Sequence, residues 1–238
     1  MRLILTIEYD GTPFRGWAVQ PGLPTVEAAL RRALAETFAS VENLAVAGRT
    51  DSGVHALGQV VSVDVEGGPT PERAAAALNP RLPDEIAVFS SDEAPAGFHA
   101  RHSARARSYR YRLFTRSTPS PFERRRSWWL PRPLDEDALA AAASALAGEH
   151  DFRAFTPAQT YHKAFVRTVE RAEWIRRGDH PTSRSRRTAT SVTWCAAWWA
   201  RWSRHRRRSP ACSTAVRVRR RAPRLHRGAC TSWPCPTK

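Results

Sequence analysis

Residues 180 to 238 contain no aspartate or glutamate, although they carry 15 of the chain's 38 lysines and arginines. No apolar run is long enough to span a bilayer, which argues against a membrane-crossing helix. The sequence opens on a strand-like segment instead of a charged-then-apolar leader, so a cytoplasmic location is expected. Neither GxxxxGKS/T nor a GxGxxG following a strand occurs, and without a phosphate-cradling glycine loop a P-loop or dinucleotide enzyme has no support. Cysteine is missing from the first 194 positions. The four present, Cys195, Cys212, Cys230 and Cys235, lack the paired CxxC spacing of a zinc ribbon, and no matching histidine pair follows them. Neither a metal site nor a disulfide is expected.

What is present suffices for a core. The chain has 238 residues, 42% of them hydrophobic, enough for one large or two small domains. A formal charge of +16 ordinarily marks a nucleic-acid partner, but here its placement matters more than its sum. Residues 1 to 179 hold 23 basic and all 22 acidic residues, a net of +1, and the remaining excess sits in the last segment. That segment also holds five of the nine tryptophans and reads TWCAAWWARW before its arginine runs. A disordered arm that binds RNA phosphates is usually lysine-rich and poor in tryptophan. This one has a single lysine, Lys238.

Before that segment the pattern is orderly. Residues 2 to 9 alternate as a half-buried strand and are stopped by Asp10, Gly11, Thr12 and Pro13. Thr25 is placed to cap a helix with an apolar stripe of Val26, Ala29, Leu30, Ala33, Leu34 and Phe38. Strands are predicted over 44 to 46, 58 to 65, 86 to 90, 108 to 115 and 168 to 176, with a helix over 70 to 78 ending before Asn79 and Pro80. A further helix is predicted from 134, with acids in its first turn, Gly148 near its end and His150 as its last residue. Several strand pairs lie too close for parallel crossovers, which favours an α+β layered fold with a largely antiparallel sheet. The proline- and arginine-rich stretch 117 to 133 reads as a connector between a unit at 1 to 116 and a second at 134 to 179.

The segment Gly48, Arg49, Thr50, Asp51, Ser52, Gly53, Val54, His55 packs two glycines, a cation, two hydroxyls and a carboxylate between two strands. Glycine allows a sharp, exposed bend that can present a carboxylate. Desolvated in a pocket and held by an arginine, a carboxylate becomes able to attack an electrophilic carbon. Arg49 and Asp51 are suitable types for that work. In isolation the same pair could be a surface turn with an ion pair.

The loop does not stand alone. YDGTPFRGW from 9, GRTDSGVHA from 48, NPRLPDEI from 79, FHARHSARARSYRYRL from 98 and DFRAF from 151 occur in order. At these intervals they resemble segments of the tRNA pseudouridine synthase A (TruA) family, over about residues 1 to 178. The resemblance implies a pseudouridine synthase fold, in which two ferredoxin-like (RRM-like) subdomains share one largely antiparallel sheet. It implies that Asp51 is the nucleophile, bonding transiently to either the base or the sugar, and that Tyr109 packs on the target uracil. Arg49 would fill the space left by the flipped nucleotide. The implied reaction isomerises uridine to pseudouridine at positions 38 to 40 of a tRNA anticodon stem-loop, with no cofactor and with a homodimer forming two composite clefts. Alternation puts Tyr109 and Tyr111 on one strand face, so pattern does not separate a base platform from a core aromatic. Arg101, Arg105, Arg107, Arg110 and Arg112 form a basic run with His99 and His102 nearby, suited to RNA phosphates or to a solvated face. His55 reads as structural, and Arg124, Arg125 and Arg126 as either an RNA contact or part of a packed linker.

The last segment behaves like a shifted reading frame. Taking the third base of each codon with the first two of the next, residues 191 to 202 can encode RHMVRGVVGAV and residues 228 to 235 can encode GLYLVAV. Both resemble motifs near the family's C-terminus. Residues 180 to 238 are therefore expected to be an aberrant tail, out of frame from a point between 174 and 191. Such a tail would remove a central strand and a cation beside the nucleophile, leaving exposed sheet edges. A catalytically impaired RNA-binding protein of the same ancestry is the alternative reading.

Overall fold

The computed structural model describes residues 1–155, 165–176, 182–187 and 216–218, the last two stretches as backbone alone. Its first half reads strand, helix, strand, strand, helix, strand: β1 (Arg2–Tyr9), α1 (Val26–Ala35), β2 (Ser40–Val46), β3 (Ala56–Glu66), α2 (Pro71–Leu78) and β4 (Ile86–Glu93). β1 pairs antiparallel with both β3 and β4, and β2 pairs antiparallel with β3. This spatial order, β4-β1-β3-β2, is the ferredoxin-like arrangement.

The reasons are local. Thr25 has extended backbone and its hydroxyl accepts from Ala28 N, which starts α1. The helix then buries Val26, Leu30, Ala33 and Leu34, four of the six residues of the expected stripe, against Leu3, Leu5, Ile7, Val61, Val63 and Val65 of the sheet; Ala29 is half-buried and Phe38 is buried beyond the helix end. Because side chains alternate along β3, Val60 faces the other way and packs with Ile4, Ala47 and Ala100. The sheet is thus covered by helices on one face and by the loop after β4 on the other.

The second half adds β5 (Arg107–Phe114), a short β6 (Trp128–Trp129) inside the connector, α3 (Glu136–Ser144), β7 (Gly148–Asp151), β8 (Val166–Ile175), β9 (Thr182–Arg187) and β10 (Val216–Val218). They extend the same sheet in the order β3-β10-β5-β9-β8-β7. Every pairing on that path is antiparallel except β10 with β3. Two expectations are corrected here. The helix begun at 134 does not run to His150. It is capped by Asp135, ends at Ser144, and at Gly148 the backbone turns to φ +105, a conformation that favours glycine. His150 then lies on a strand opposite Arg167.

The second correction concerns the basic segment. Its backbone does not leave the centre of the sheet open: β9 sits between β5 and β8, and β10 bridges the starts of β3 and β5. Ladder hydrogen bonds use main-chain groups that every residue except proline offers as both donor and acceptor, so a strand can form where the side chains carry no family pattern. The four cysteines and the stretches 191 to 202 and 228 to 235 lie outside the described residues, as does part of any second ferredoxin-like unit. Among the described residues no helix is long and apolar enough to cross a membrane.

Candidate active site

The loop from Gly48 to His55 leaves the end of β2 and enters β3, and it is tied down by the segment that follows β1. Trp17 N donates to Thr50 O (2.9 Å), Gly53 N to Phe14 O (3.3 Å), and Ser52 Oγ to the same Phe14 carbonyl (3.3 Å). The bend itself closes with Val54 N donating to Asp51 O (3.2 Å), and Gly53 has φ +76 at the third position, as a type II turn requires. Gly16, at φ +100, allows its chain to pass close to Thr50: a Cβ there would lie 2.9 Å from the Thr50 carbonyl oxygen. YDGTPFRGW and GRTDSGVHA, two separate stretches of sequence, thus form one clamped unit.

Beneath the loop lies a buried polar lattice. Gln59, with 0% exposure in the middle of β3, donates from Nε2 to Gly48 O (2.5 Å) and accepts at Oε1 from Gly48 N (3.3 Å). Its Nε2 also reaches the Tyr9 hydroxyl at 3.5 Å, and that hydroxyl lies 2.7 Å from Thr50 Oγ1. Burial, partly offset by the Thr50 and Gln59 contacts, pushes the Tyr9 phenol up to about 12. It therefore stays protonated throughout the neutral range. Arg107, at the start of β5, donates from Nε (2.9 Å) and Nη2 to Ala47 O, and from Nη2 to Arg101 O (3.3 Å).

At the top of the loop Asp51 and Arg49 are both exposed, while Thr50 between them is buried. Asp51 is open on one side, yet enough protein surrounds its other side that desolvation raises its pKa above the ordinary carboxylate value. Among the described residues no cation pairs with it, and Arg49 is not its ion partner. Tyr109 lies on β5 with 5% exposure, opposite Ser185 of β9. The structure separates it from Tyr111, which packs with Leu113, Trp128, Leu134 and Trp174; Tyr109 belongs to none of the apolar clusters among the described residues.

The basic run splits by face. Arg107 is buried, Arg101 and Arg105 are exposed, and Arg112 pairs with Glu123 at 3.0 Å. His99 and His102 contact each other with ring centroids 4.5 Å apart, and among the described residues no group of metal-binding side chains occurs. His55 is a tie between three segments. Its Nε2 donates to Arg125 O (2.7 Å), and its Nδ1 stands 3.3 Å from Gly11 N and 3.1 Å from Asp10 Oδ1. Burial works to raise the Asp10 pKa, but hydrogen bonds from Thr12 and the charges of His55 and Arg126 hold it below its ordinary value overall. The connector carrying Arg124, Arg125 and Arg126 is thereby fastened beside the bend.

Sequence reading named Asp51, Arg49 and Tyr109 and missed the supports: Tyr9, Gln59 and Arg107. A signal for them existed. Gln59 is a polar residue inside a valine-rich strand, and Arg107 occupies the inward register of Tyr109, Tyr111 and Leu113. A polar side chain in an apolar register implies a buried partner.

Comparison with known proteins gives a consistent answer. The family model described as tRNA pseudouridine synthase matches residues 5–103 and 142–199. A tRNA pseudouridine synthase A of Methylorubrum extorquens strain PA1 is 43% identical over 176 residues, covering 74% of this chain and 70% of the relative. Proteins of the same name from a Bradyrhizobium species and from Sinorhizobium medicae are 42% and 40% identical over 182 and 181 residues, covering 76% and 75% of this chain and 74% and 73% of those relatives. A solved Cbf5-Nop10-Gar1 complex aligns with 90% of this chain and 48% of that chain at 12% identity and a TM-score of 0.41, too slight a likeness to carry weight. With a family model matched on both halves and relatives at 40% identity or more across most of their length, the chain belongs to the tRNA pseudouridine synthase family.

Proposed function

We propose that this chain isomerises uridine to pseudouridine at positions 38 to 40 of the tRNA anticodon stem-loop, with Asp51 as nucleophile. The observation that carries the reading is the clamped, glycine-shaped bend that presents Asp51 without an ion partner among the described residues and with a raised pKa. A carboxylate so placed is less stabilised by solvent than a free one and better able to form a transient covalent bond. The N1 glycosidic bond breaks, the uracil turns while held, and C5 bonds to the ribose carbon, so atoms are conserved and no cofactor is needed. A stacked uridine is out of reach, so it is extruded. Tyr109 supplies the aromatic face for the uracil, and the exposed Arg49, two residues before Asp51, takes the space the nucleotide vacates. The protein works in the cytoplasm as a homodimer with two composite clefts.

We also propose that residues 180 to 238 are read out of frame. What supports this is composition: after residue 179 the chain has no aspartate or glutamate, and it gathers all four cysteines and five of the nine tryptophans there. Anticodon stem-loop tRNA incubated with this chain, with Asp51→Asn and with a frame-restored form tests both readings. Pseudouridine from the Asp51 proteins and none from the Asn variant supports the assignment; pseudouridine formed by Asp51→Asn overturns it. A higher rate in the restored form supports the frame reading, which is lost if resequencing finds an intact frame encoding this same tail.

A further inference from the structure

We infer that Arg107 is a positioning residue for the isomerisation: its guanidinium fastens the segment bearing Asp51 to the strand bearing Tyr109. This rests on the function proposed above. Arg107 is 2% exposed, and its Nε and Nη2 both donate to the carbonyl of Ala47, the residue immediately before Gly48. Nη2 also reaches the carbonyl of Arg101, in the loop that covers the far face of the sheet. One side chain therefore joins three segments: the end of β2, the 98 to 106 loop and β5.

Gly48 records how tight the fit is. A Cβ on it would lie 3.2 Å from Arg107 Nε and 3.4 Å from Cδ, so the loop rests directly on the arginine. Tyr109 follows Arg107 by two residues on the same inward face of β5, with burial alternating between them. The arginine is thus the mechanical link that sets where the carboxylate's loop stands relative to the aromatic ring.

A purely structural role accounts poorly for this residue. Among the described residues no carboxylate pairs with Arg107, and Nη1 has no hydrogen-bond partner. Burial, the largest influence, pushes its pKa down, partly offset by Tyr109. A buried guanidinium without a carboxylate partner carries a desolvation cost that an apolar side chain of similar volume avoids. What the apolar side chain lacks is the fork that holds two carbonyls from separate segments in one geometry.

The test places Arg107→Met, Arg107→Lys and Asp51→Asn in the unaltered chain and in its frame-restored form, all full length, and compares pseudouridine formation on anticodon stem-loop RNA and backbone hydrogen exchange of residues 44 to 56. A displacement of the nucleophile by about 1 Å lowers kcat by about 100-fold. Arg107→Met is expected to lower kcat by about that factor with KM nearly unchanged, and to speed exchange in 44 to 56 but not in α1. Arg107→Lys, which keeps a cation but loses the fork, is expected to fall between. Unchanged kcat and unchanged loop exchange in Arg107→Met overturn the inference, as does a rise in KM alone. If exchange responds as expected while the unaltered and frame-restored chains make no pseudouridine, the clamp stands and the proposed function falls. If exchange rises everywhere in Arg107→Met, the Lys variant decides: full activity with normal loop exchange sinks the positioning role.

Discussion

Gly11 lies so close to the carbonyl of Val54 that a Cβ on it would sit 2.1 Å from the oxygen and 2.5 Å from the carbon. Both atoms belong to rigid backbone, so neither can step aside as a side chain would. Gly11→Ala must push the turn after β1 away from the bend that carries Asp51. Overpacking of this kind costs about 1–3 kcal/mol, which urea unfolding would register. The expected activity loss is larger than the stability loss, because the displaced backbone is the one beneath Asp51. Normal stability together with normal turnover would show that the contact does not matter.

Tyr9→Phe removes one oxygen from the lattice under the loop. The Thr50 hydroxyl loses its 2.7 Å partner, while Gln59 keeps Gly48. Loss of a buried hydrogen bond is expected to destabilise the fold by about 1 kcal/mol. Turnover is expected to fall only slightly, since the two bonds to Gly48 remain. A loss above 100-fold in kcat would mean the phenol itself takes part in the chemistry.

The pH dependence follows from the sign of the Asp51 shift. A nucleophilic carboxylate works only when ionised, and burial raises its pKa in the folded protein. As pH falls, its ionised fraction is therefore lost earlier than for a free aspartate, whose pKa is about 3.9. The acid limb of single-turnover pseudouridine formation is expected above that value. A limb at or below it would be incompatible with this carboxylate as the attacking group.

Asp64 shows the opposite shift. Arg2 donates to both of its oxygens (2.6 and 2.7 Å), Asn43 adds a third bond (2.9 Å), and its pKa falls to about 2 despite some desolvation. A carboxylate depressed in the folded state contributes stability above its unfolded pKa and loses it as pH falls through the folded one. Asp64→Asn is therefore expected to be less stable than the parent at neutral pH, with the gap closing between about pH 4 and about pH 2. Equal gaps at pH 7 and pH 2 in chemical denaturation would exclude the charge as the cause.

Much of this molecule is legible from residue pattern, and the failures have physical causes. The stripe of Val26, Leu30, Ala33 and Leu34 and the Thr25 cap announce α1 because both are local properties. Gly148 was legible as a stop but not as the start of β7, since a strand is made by its partner, here β8, and not by its own four residues. The same non-local origin hides β9, whose arginine-rich sequence gives no strand signal, and β10, whose three residues are too few to give one. At the site, Asp51 stands out by its glycines and its position. Arg107 is legible only as a charge in the inward register of Tyr109 and Tyr111, because SARARSYRY does not say that its partner is the Ala47 carbonyl instead of RNA. That difference lies in which side of β5 faces the loop.

His55 offers a readout of how the arginine-rich connector is held. Its Nε2 bond to Arg125 O is a link between the bend that carries Asp51 and a segment also held by the pairing of β6 with β5 and by Glu123, whose side chain pairs with Arg112 and whose carbonyl accepts from Arg126 N and Ser127 N. Removing the imidazole in His55→Ala should let the connector lift while β5 and the core stay intact. One lost hydrogen bond, about 1 kcal/mol, raises the open population about fivefold, and trypsin cleaves only the open form at Arg124, Arg125 and Arg126. Limited digestion followed by mass spectrometry is expected to show faster cutting at those three sites in His55→Ala, with the urea midpoint changed far less than the cleavage rate. Cleavage at the parent's rate would mean that the Glu123 contacts and the β5–β6 pairing hold the connector without it and that His55 serves only the Gly11 turn.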